Sequence, residues 1–550
     1  MRKRNLKKRS FLMNKLFFVL LSIFLLNFSS KANADEFSAL GKLAVQDGGR
    51  IKPFDTFAKE SMQLIHGKSN LNGRDAVEVV FTWMLLPDVW SKMEFLKIDY
   101  RKLKEDLDLE PTKKYFSMAE IMSHPKLPAI IQTMNNKAEA KERLNSYDQA
   151  IQILNNQLSL YQAISNNLHP GWIPSEDAEN DKWKHLAQFS EEQAKDFGKV
   201  TRAFVAIIQA KQNNLKEIPS KALDLAVDSF FNKYQNVKES SQLGIEIHYN
   251  KLHPFQWAWI LYLLATIFFF LSSLLSKEAL YKTGLVLILA AFAMHIYGFS
   301  LRVLLTGRPP VSNMYETVVW VPFGTVLFAL FFEWKKRSQF MLLGASLTGA
   351  FCMLLADFAP NVLDPSLQPL EPVLRSNLWL TVHVLTITIS YGAFFLAFTL
   401  GDLALFYIIK GEKKYKDKIK DLSGAIYRAE KIGVVLLAAG TILGGVWADY
   451  SWGRFWGWDP KETWALIALL GYLALLHAKQ GGHIKQVGMI AGSVVSFSLV
   501  IMAWYGVNYV LGAGLHSYGF GAGGLEYVAS FVGIHIIFVI FVLFGRKKEG

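Results

Sequence analysis

The chain has 550 residues, of which 51% are hydrophobic and 14% aromatic, a richer apolar content than an ordinary soluble domain shows. Its formal net charge of +13 sits in short Lys and Arg blocks between apolar runs, which fits membrane topology and argues against a nucleic-acid-binding face. The single cysteine, Cys352, lies inside an apolar run, which excludes an intrachain disulfide, a Cys-x-x-Cys redox pair and a Cys-x-x-Cys-His attachment site.

Residues 1–34 read as a signal segment. Six Lys or Arg fall within Arg2 to Arg9, an apolar stretch runs from Leu16 to Phe28, and Ala32-Asn33-Ala34 precedes Asp35. Cleavage is expected after Ala34, with an uncleaved signal anchor as the alternative. Residues 35–250 are polar and helix-favouring, with amphipathic spacing from Leu144 to Ile164, and are expected to form a helical extracytoplasmic domain. Its His66, His124, His169, His185 and His248 read as surface or core histidines, since none has a persuasive metal-ligand spacing.

From residue 251 the expected architecture is an all-α polytopic membrane domain. Nine apolar runs are long enough to cross about 30 Å of hydrocarbon: 255–276, 283–305, 314–333, 340–357, 376–409, 432–448, 462–478, 486–510 and 526–545. The loops assigned to the cytoplasm hold eighteen Lys or Arg, against four outside, Arg308, Arg375, Arg454 and Lys461. This positive-inside bias places the exported domain and the loop after the sixth span outside, and the C-terminus in the cytoplasm. The expected location is a bacterial inner membrane. The fifth run is too long for the hydrocarbon, so its outer end, which bears His383, is expected to project above the membrane.

The outer stretch 447–464 holds Trp447, Trp452, Trp456, Trp458 and Trp464 interleaved with Gly453 and Gly457. Glycines keep a backbone thin beside a flat ligand, and indole faces give it a rigid apolar surface. An interfacial aromatic belt is the alternative. The pattern Trp452-Gly453-x-x-Trp456-x-Trp458-Asp459-x-x-Glu462 resembles the tryptophan-rich signature of the haem-handling proteins of cytochrome c maturation. Three further segments, Gly307 to Glu316, Trp379 to Val384 and Gly514 to Gly519, resemble the CcsA/ResC branch of the System II cytochrome c synthase. Asp47 to Pro53 looks like the segment that precedes the membrane core in fused members.

The resemblance implies a subunit of a cytochrome c synthase that takes haem b as a non-covalently held substrate and presents it, reduced, to the Cys-x-x-Cys-His of apocytochrome c. It implies His383 and His516 as outer axial ligands and His477, deep in the seventh span, as a transmembrane ligand. Trp452, Gly453, Trp456, Gly457, Trp458 and Asp459 would form the haem surface, with Trp456, Trp458 and Asp459 taking part in presentation. The ResB/CcsB-like half of fused members is not seen in this sequence, so a separate membrane partner and thiol-reducing proteins are implied. His295 is the internal candidate for a second deep ligand and otherwise a packed histidine. His253, His483 and His535 read as boundary or packing residues. The outer arginines suit haem propionates, or pair with Glu316, Glu371 or Asp459. The rival readings are a System I-type haem-loading or lyase subunit, and a transporter or scaffold that handles no haem.

Overall fold

The computed structural model describes residues 36–140, 142, 144–175, 182–215, 217–235, 240–335, 337, 339–359, 362–369, 376–511 and 524–546. The expected signal segment, His516, Arg375 and Glu371 lie outside the described residues. The chain forms two compact units, Met1–Asn136 with Ile151–Ile247, and Lys137–Ala150 with His248–Gly550.

The first unit is mainly helical, as its composition suggests, but its described residues also form three two-stranded antiparallel sheets. In the first of them β1 (Ala44–Asp47) pairs with β2 (Arg50–Pro53). Gly48 and Gly49 make the turn with φ of 57° and 79°, the left-handed pair that a two-residue hairpin requires. The hairpin turns its cations inward. Lys52 is buried between Asp47 and Glu60, each at 2.6 Å, and Arg50 grips Glu246 through two bonds of 2.9 and 2.8 Å. His169 meets Asp47 at 2.8 Å. Burial alone would raise the Asp47 carboxyl, but hydrogen bonds from His169 and Lys52 and their charges hold it well below the usual carboxylate range. Behind the hairpin, α1 (Phe54–His66) and α2 (Ala76–Leu85) bury Phe54, Phe57, Phe81 and Trp83. The expected amphipathic stretch forms α3 (Ser146–Ser165), where Ile151, Leu154, Leu158, Tyr161 and Ile164 recur at helical spacing and are all buried.

The second unit is a multi-pass helical membrane domain. Its long helices are α4 (Pro254–Leu275), α5 (Glu278–Thr306), α6 (Met314–Lys335), α7 (Phe340–Phe358), α8 (Leu385–Ile409), α9 (Lys416–Trp452), α10 (Pro460–Gln480), α11 (Gln486–Ile501) and α12 (Leu525–Arg546). Eight helices among the described residues are long and apolar enough to cross a membrane. The expected seventh span is present as α10, a helix of 21 residues, but Lys461, Glu462, His477, Lys479 and Gln480 at its two ends leave it short of that apolarity. The sixth span is longer than expected. α9 starts at Lys416 and not near 432, because Ile419, Leu422, Ala425, Ile426 and Ala429 give its basic segment a buried stripe. At its other end α9 continues to Trp452, so Trp447 lies on a helix, and the loop proper is only 453–459. The helix of the fifth run is the most enclosed, with 78% of its apolar window buried, whereas that of the last helix is 11% buried. α8 is therefore the axis of the bundle, and α12 lies at its edge.

Candidate functional site

His383 sits in a π-helical turn, Leu380–Val384, just before α8. Such a turn widens the helix by one residue and recurs at functional sites. The imidazole lies on a glycine face of α9. A Cβ at Gly440 would come within 2.9 Å of Ile387 Cα, and one at Gly444 within 2.7 Å of His383 Cε1, so side chains there would push the two helices apart. Nδ1 of His383 is 2.8 Å from the Gly440 carbonyl oxygen. A carbonyl only accepts, so Nδ1 carries the proton and Nε2 the lone pair, the arrangement of a metal-binding imidazole with an oriented ring. Trp447 meets the His383 ring edge-on at 5.6 Å and stacks on Trp379 at 6.5 Å and 9°.

The loop that follows is set by its charged residues. Asp459 is buried and caps α10, its carboxylate accepting from the Lys461 amide at 3.0 Å. Glu462 reaches back to the amides of Gly457 (2.8 Å) and Asp459 (3.2 Å), which completes a capping box. It also pairs with Arg454 at 3.3 Å, whose guanidinium lies over Trp452 at 5.8 Å. A Cβ on Gly457 would run into that guanidinium. Asp459 and Glu462 therefore shape the loop, a role that the spacing of a helix start in the sequence could have revealed. Trp458 is exposed and takes φ of 57°, a conformation that costs a bulky residue strain. Trp456 stands edge-on to it at 5.9 Å.

A cavity of about 170 Å³ gathers several of these distant segments. It is lined by Val311 to Met314, His383, Trp447, Trp456, Lys461 and Glu462, and by Trp504, Asn508 and Tyr509 of the π-helical stretch Met502–Leu511. Among the described residues, the lining takes in Trp447 and Trp456 but not Trp452, Gly453, Gly457, Trp458 or Asp459. The wall at 311–314 is held by a fully buried ion pair. Arg302 Nη2 lies 2.7 Å from Glu316, whose other oxygen accepts from the Ser312 amide (2.8 Å) and hydroxyl (2.7 Å). Glu316 is thus paired with Arg302 and not with an outer-loop arginine, while Arg308 donates to the Gln368 carbonyl at 2.7 Å. Arg302, Trp504 and Tyr509 were not singled out from the sequence.

His477, His295 and His535, in the same unit, are not among the residues that line this cavity. His477 is exposed in the last turn of α10, its Nδ1 donating to the Leu473 carbonyl at 2.7 Å. It is about 24 Å along the helix from Lys461 at roughly 1.5 Å per residue. His295 is fully buried among Phe255, Phe299 and Phe323. Its Nε2 donates to the Val319 carbonyl at 3.1 Å and its Nδ1 accepts from the Tyr262 hydroxyl at 3.2 Å. Both ring nitrogens are engaged, the arrangement of a packed histidine. His535, expected as a packing residue, does pack on Phe398 and Phe531, and it also meets Asp402 at 3.2 Å.

Residues 311–516 match the family described as Cytochrome C assembly protein. Protein NrfI of Wolinella succinogenes is 29% identical over 515 residues, 89% of this chain and 55% of NrfI; the chain thus spans little more than half of that relative's length. Cytochrome c biogenesis protein CcsA of Prochlorococcus marinus (strain NATL2A) is 33% identical over 255 residues, covering 39% of this chain and 78% of that protein. The CcsA of Chlamydomonas reinhardtii is 37% identical over 228 residues, covering 39% of this chain and 62% of its own.

Proposed function

The chain belongs to the CcsA family of cytochrome c biogenesis proteins, and on that premise we propose that it presents reduced haem b at the outer face of a bacterial inner membrane for attachment to apocytochrome c. The observation that carries this reading is the cavity that brings His383 together with Trp447, Trp456 and the 311–314 wall. His383 offers iron the lone pair of Nε2, its ring held by the Gly440 carbonyl. His516 would take the opposite axial position. Trp447 and Trp456 supply apolar walls for the porphyrin, while Trp458, on the exposed side of the loop, is placed to meet the incoming apocytochrome.

In the attachment each apocytochrome thiol adds across one haem vinyl group. A carbon–sulfur bond forms, the thiol hydrogen ends on the other vinyl carbon, and no net oxidation occurs. The thiols must arrive reduced, which is work for separate thiol-reducing proteins because Cys352 is buried. His477 likewise has its proton on Nδ1, facing the Leu473 carbonyl, and its lone pair on Nε2. It would hold haem on the inner side together with a ligand from a ResB/CcsB-like partner.

The test is purification of the full chain with that partner and measurement of bound haem. A Soret band of bis-histidine character that changes in His383→Ala is the expected result. Absence of any Soret band would overturn the reading in favour of a carrier that handles no haem.

A further inference from the structure

Away from the cavity, three oxygen-bearing side chains on three different helices are buried together, and among the described residues no charged group pairs with them. Glu430 on α9, Tyr472 on α10 and Ser493 on α11 are each 0% exposed. Neither Glu430 carboxyl oxygen, nor the Tyr472 or Ser493 hydroxyl, makes a direct hydrogen bond of good geometry among the described residues. The Ser493 hydroxyl is a hydrogen-bonding neighbour of the carboxyl, looser than a well-formed direct bond, and Tyr472 lies within electrostatic reach of it. Tyr472 is fixed there by the Phe394 ring, stacked at 3.8 Å. Gly433, one turn along α9 from Glu430, admits that ring, since a Cβ there would be 2.6 Å from Phe394 Cε1.

Charge limits what can complete such a site. Among the described residues no Lys, Arg or His pairs with Glu430, and Tyr472 is the titratable group beside it. A lone carboxylate in an apolar membrane interior is strongly disfavoured, so the group calls for a monocation. One carboxyl and two hydroxyls fall short of the oxygen shell, about six ligands, that hard cations gather. A proton needs one oxygen.

We propose that Glu430 is a proton-binding site in the membrane interior, held as the neutral acid and joined to the Tyr472 and Ser493 hydroxyls through internal water. Water is the natural bridge, since a buried water takes two to four polar partners and these three groups supply them. The site ties together α9, α10 and α11. The first two of these helices flank the Trp loop, and the third runs on to Trp504. Loss of the proton would leave a bare charge between them and drive the helices apart. This inference concerns the bundle itself and does not depend on the haem reading.

The test is infrared spectroscopy of the full chain in lipid nanodiscs at pH 7, in H2O and D2O, for the wild type, Glu430→Gln and Ser493→Ala. The expected result is a protonated-carboxyl C=O band that shifts in D2O, is lost in Glu430→Gln and moves in Ser493→Ala. The serine variant keeps the comparison decisive should Glu430→Gln fail to accumulate, because Ser493 is the hydrogen-bonding neighbour of the Glu430 carboxyl. A spectrum in which no such band responds to either substitution would mean an ionised Glu430 and overturn the proposal. So would a wild-type melting temperature that rises with NaCl or KCl, but not with choline chloride, and loses that dependence in Glu430→Gln. That result would assign the site to an alkali ion.

Discussion

Two histidines of this bundle look alike in sequence, each in an apolar helix with aromatic neighbours, yet their hydrogen bonds predict opposite mutant behaviour. His383 has a protonated Nδ1 on one backbone carbonyl, and its ring lines a cavity. His383→Ala should leave the protein accumulating normally, because the ring lines a cavity and does not fill the core, and losing a hydrogen bond such as that to the Gly440 carbonyl costs about 1 kcal/mol. Holocytochrome yield should fall at least about tenfold for the loss of an iron ligand. Added imidazole should restore part of it by filling the open coordination position, and a normal yield from the alanine variant would refute the assignment. His295 is buried with both nitrogens bonded. His295→Ala should destabilise the bundle by about 2–4 kcal/mol, through the cavity it leaves and the unpaired Tyr262 hydroxyl and Val319 carbonyl. Immunoblotting should then show protein and holocytochrome falling together, without rescue. Imidazole rescue of His295→Ala would show that ligation, not packing, is its role.

At the scale of the element, the Trp loop divides into residues that hold its shape and residues that offer a surface. Trp456→Ala removes an aromatic wall, worth on the order of 1.5–3 kcal/mol, or roughly a tenfold or larger loss of haem retention. Trp334, which is exposed on another helix, is the control that should not change. Gly457→Ala should weaken retention as well, although it touches no ligand, because its Cβ would displace the Arg454 guanidinium from Glu462. Haem per purified protein across these variants decides the matter. Equal and small effects at Trp456, Gly457 and Trp334 would favour a simple aromatic belt. Much of this element was legible in the sequence: the Trp and Gly spacing located the loop, and the apolar runs located the long helices of the membrane unit. The rest was hidden for physical reasons. The basic start of α9 looked like a loop because its buried stripe is made largely of small and isolated apolar residues among lysines. The hairpin strands, four residues each, are too short to show an alternating pattern. The π turn under His383 leaves no compositional trace. Asp459 and Glu462 stood out in the sequence as part of a signature, whereas their hydrogen bonds assign them to the start of a helix.

For the whole molecule, the question is what one chain can hold. A haem coordinated by two histidines at the inner side needs a second ligand beside His477, and His295, the internal candidate, is committed to Val319 and Tyr262. The length relation points the same way: this chain accounts for 55% of NrfI, so that relative carries a large additional portion in one polypeptide. If a separate partner supplies what that portion provides, two expressions in a host lacking its own maturation system should differ sharply. The chain alone should accumulate in the membrane yet form no holocytochrome from a Cys-x-x-Cys-His substrate. Co-expression with a ResB/CcsB-like subunit should restore maturation, and His477→Ala should then abolish haem at the inner site while His383→Ala leaves haem there. Haem staining of the reporter cytochrome and the spectrum of the purified complex give both readouts. Maturation by the chain on its own would refute the need for a partner and make His295 the second ligand to test.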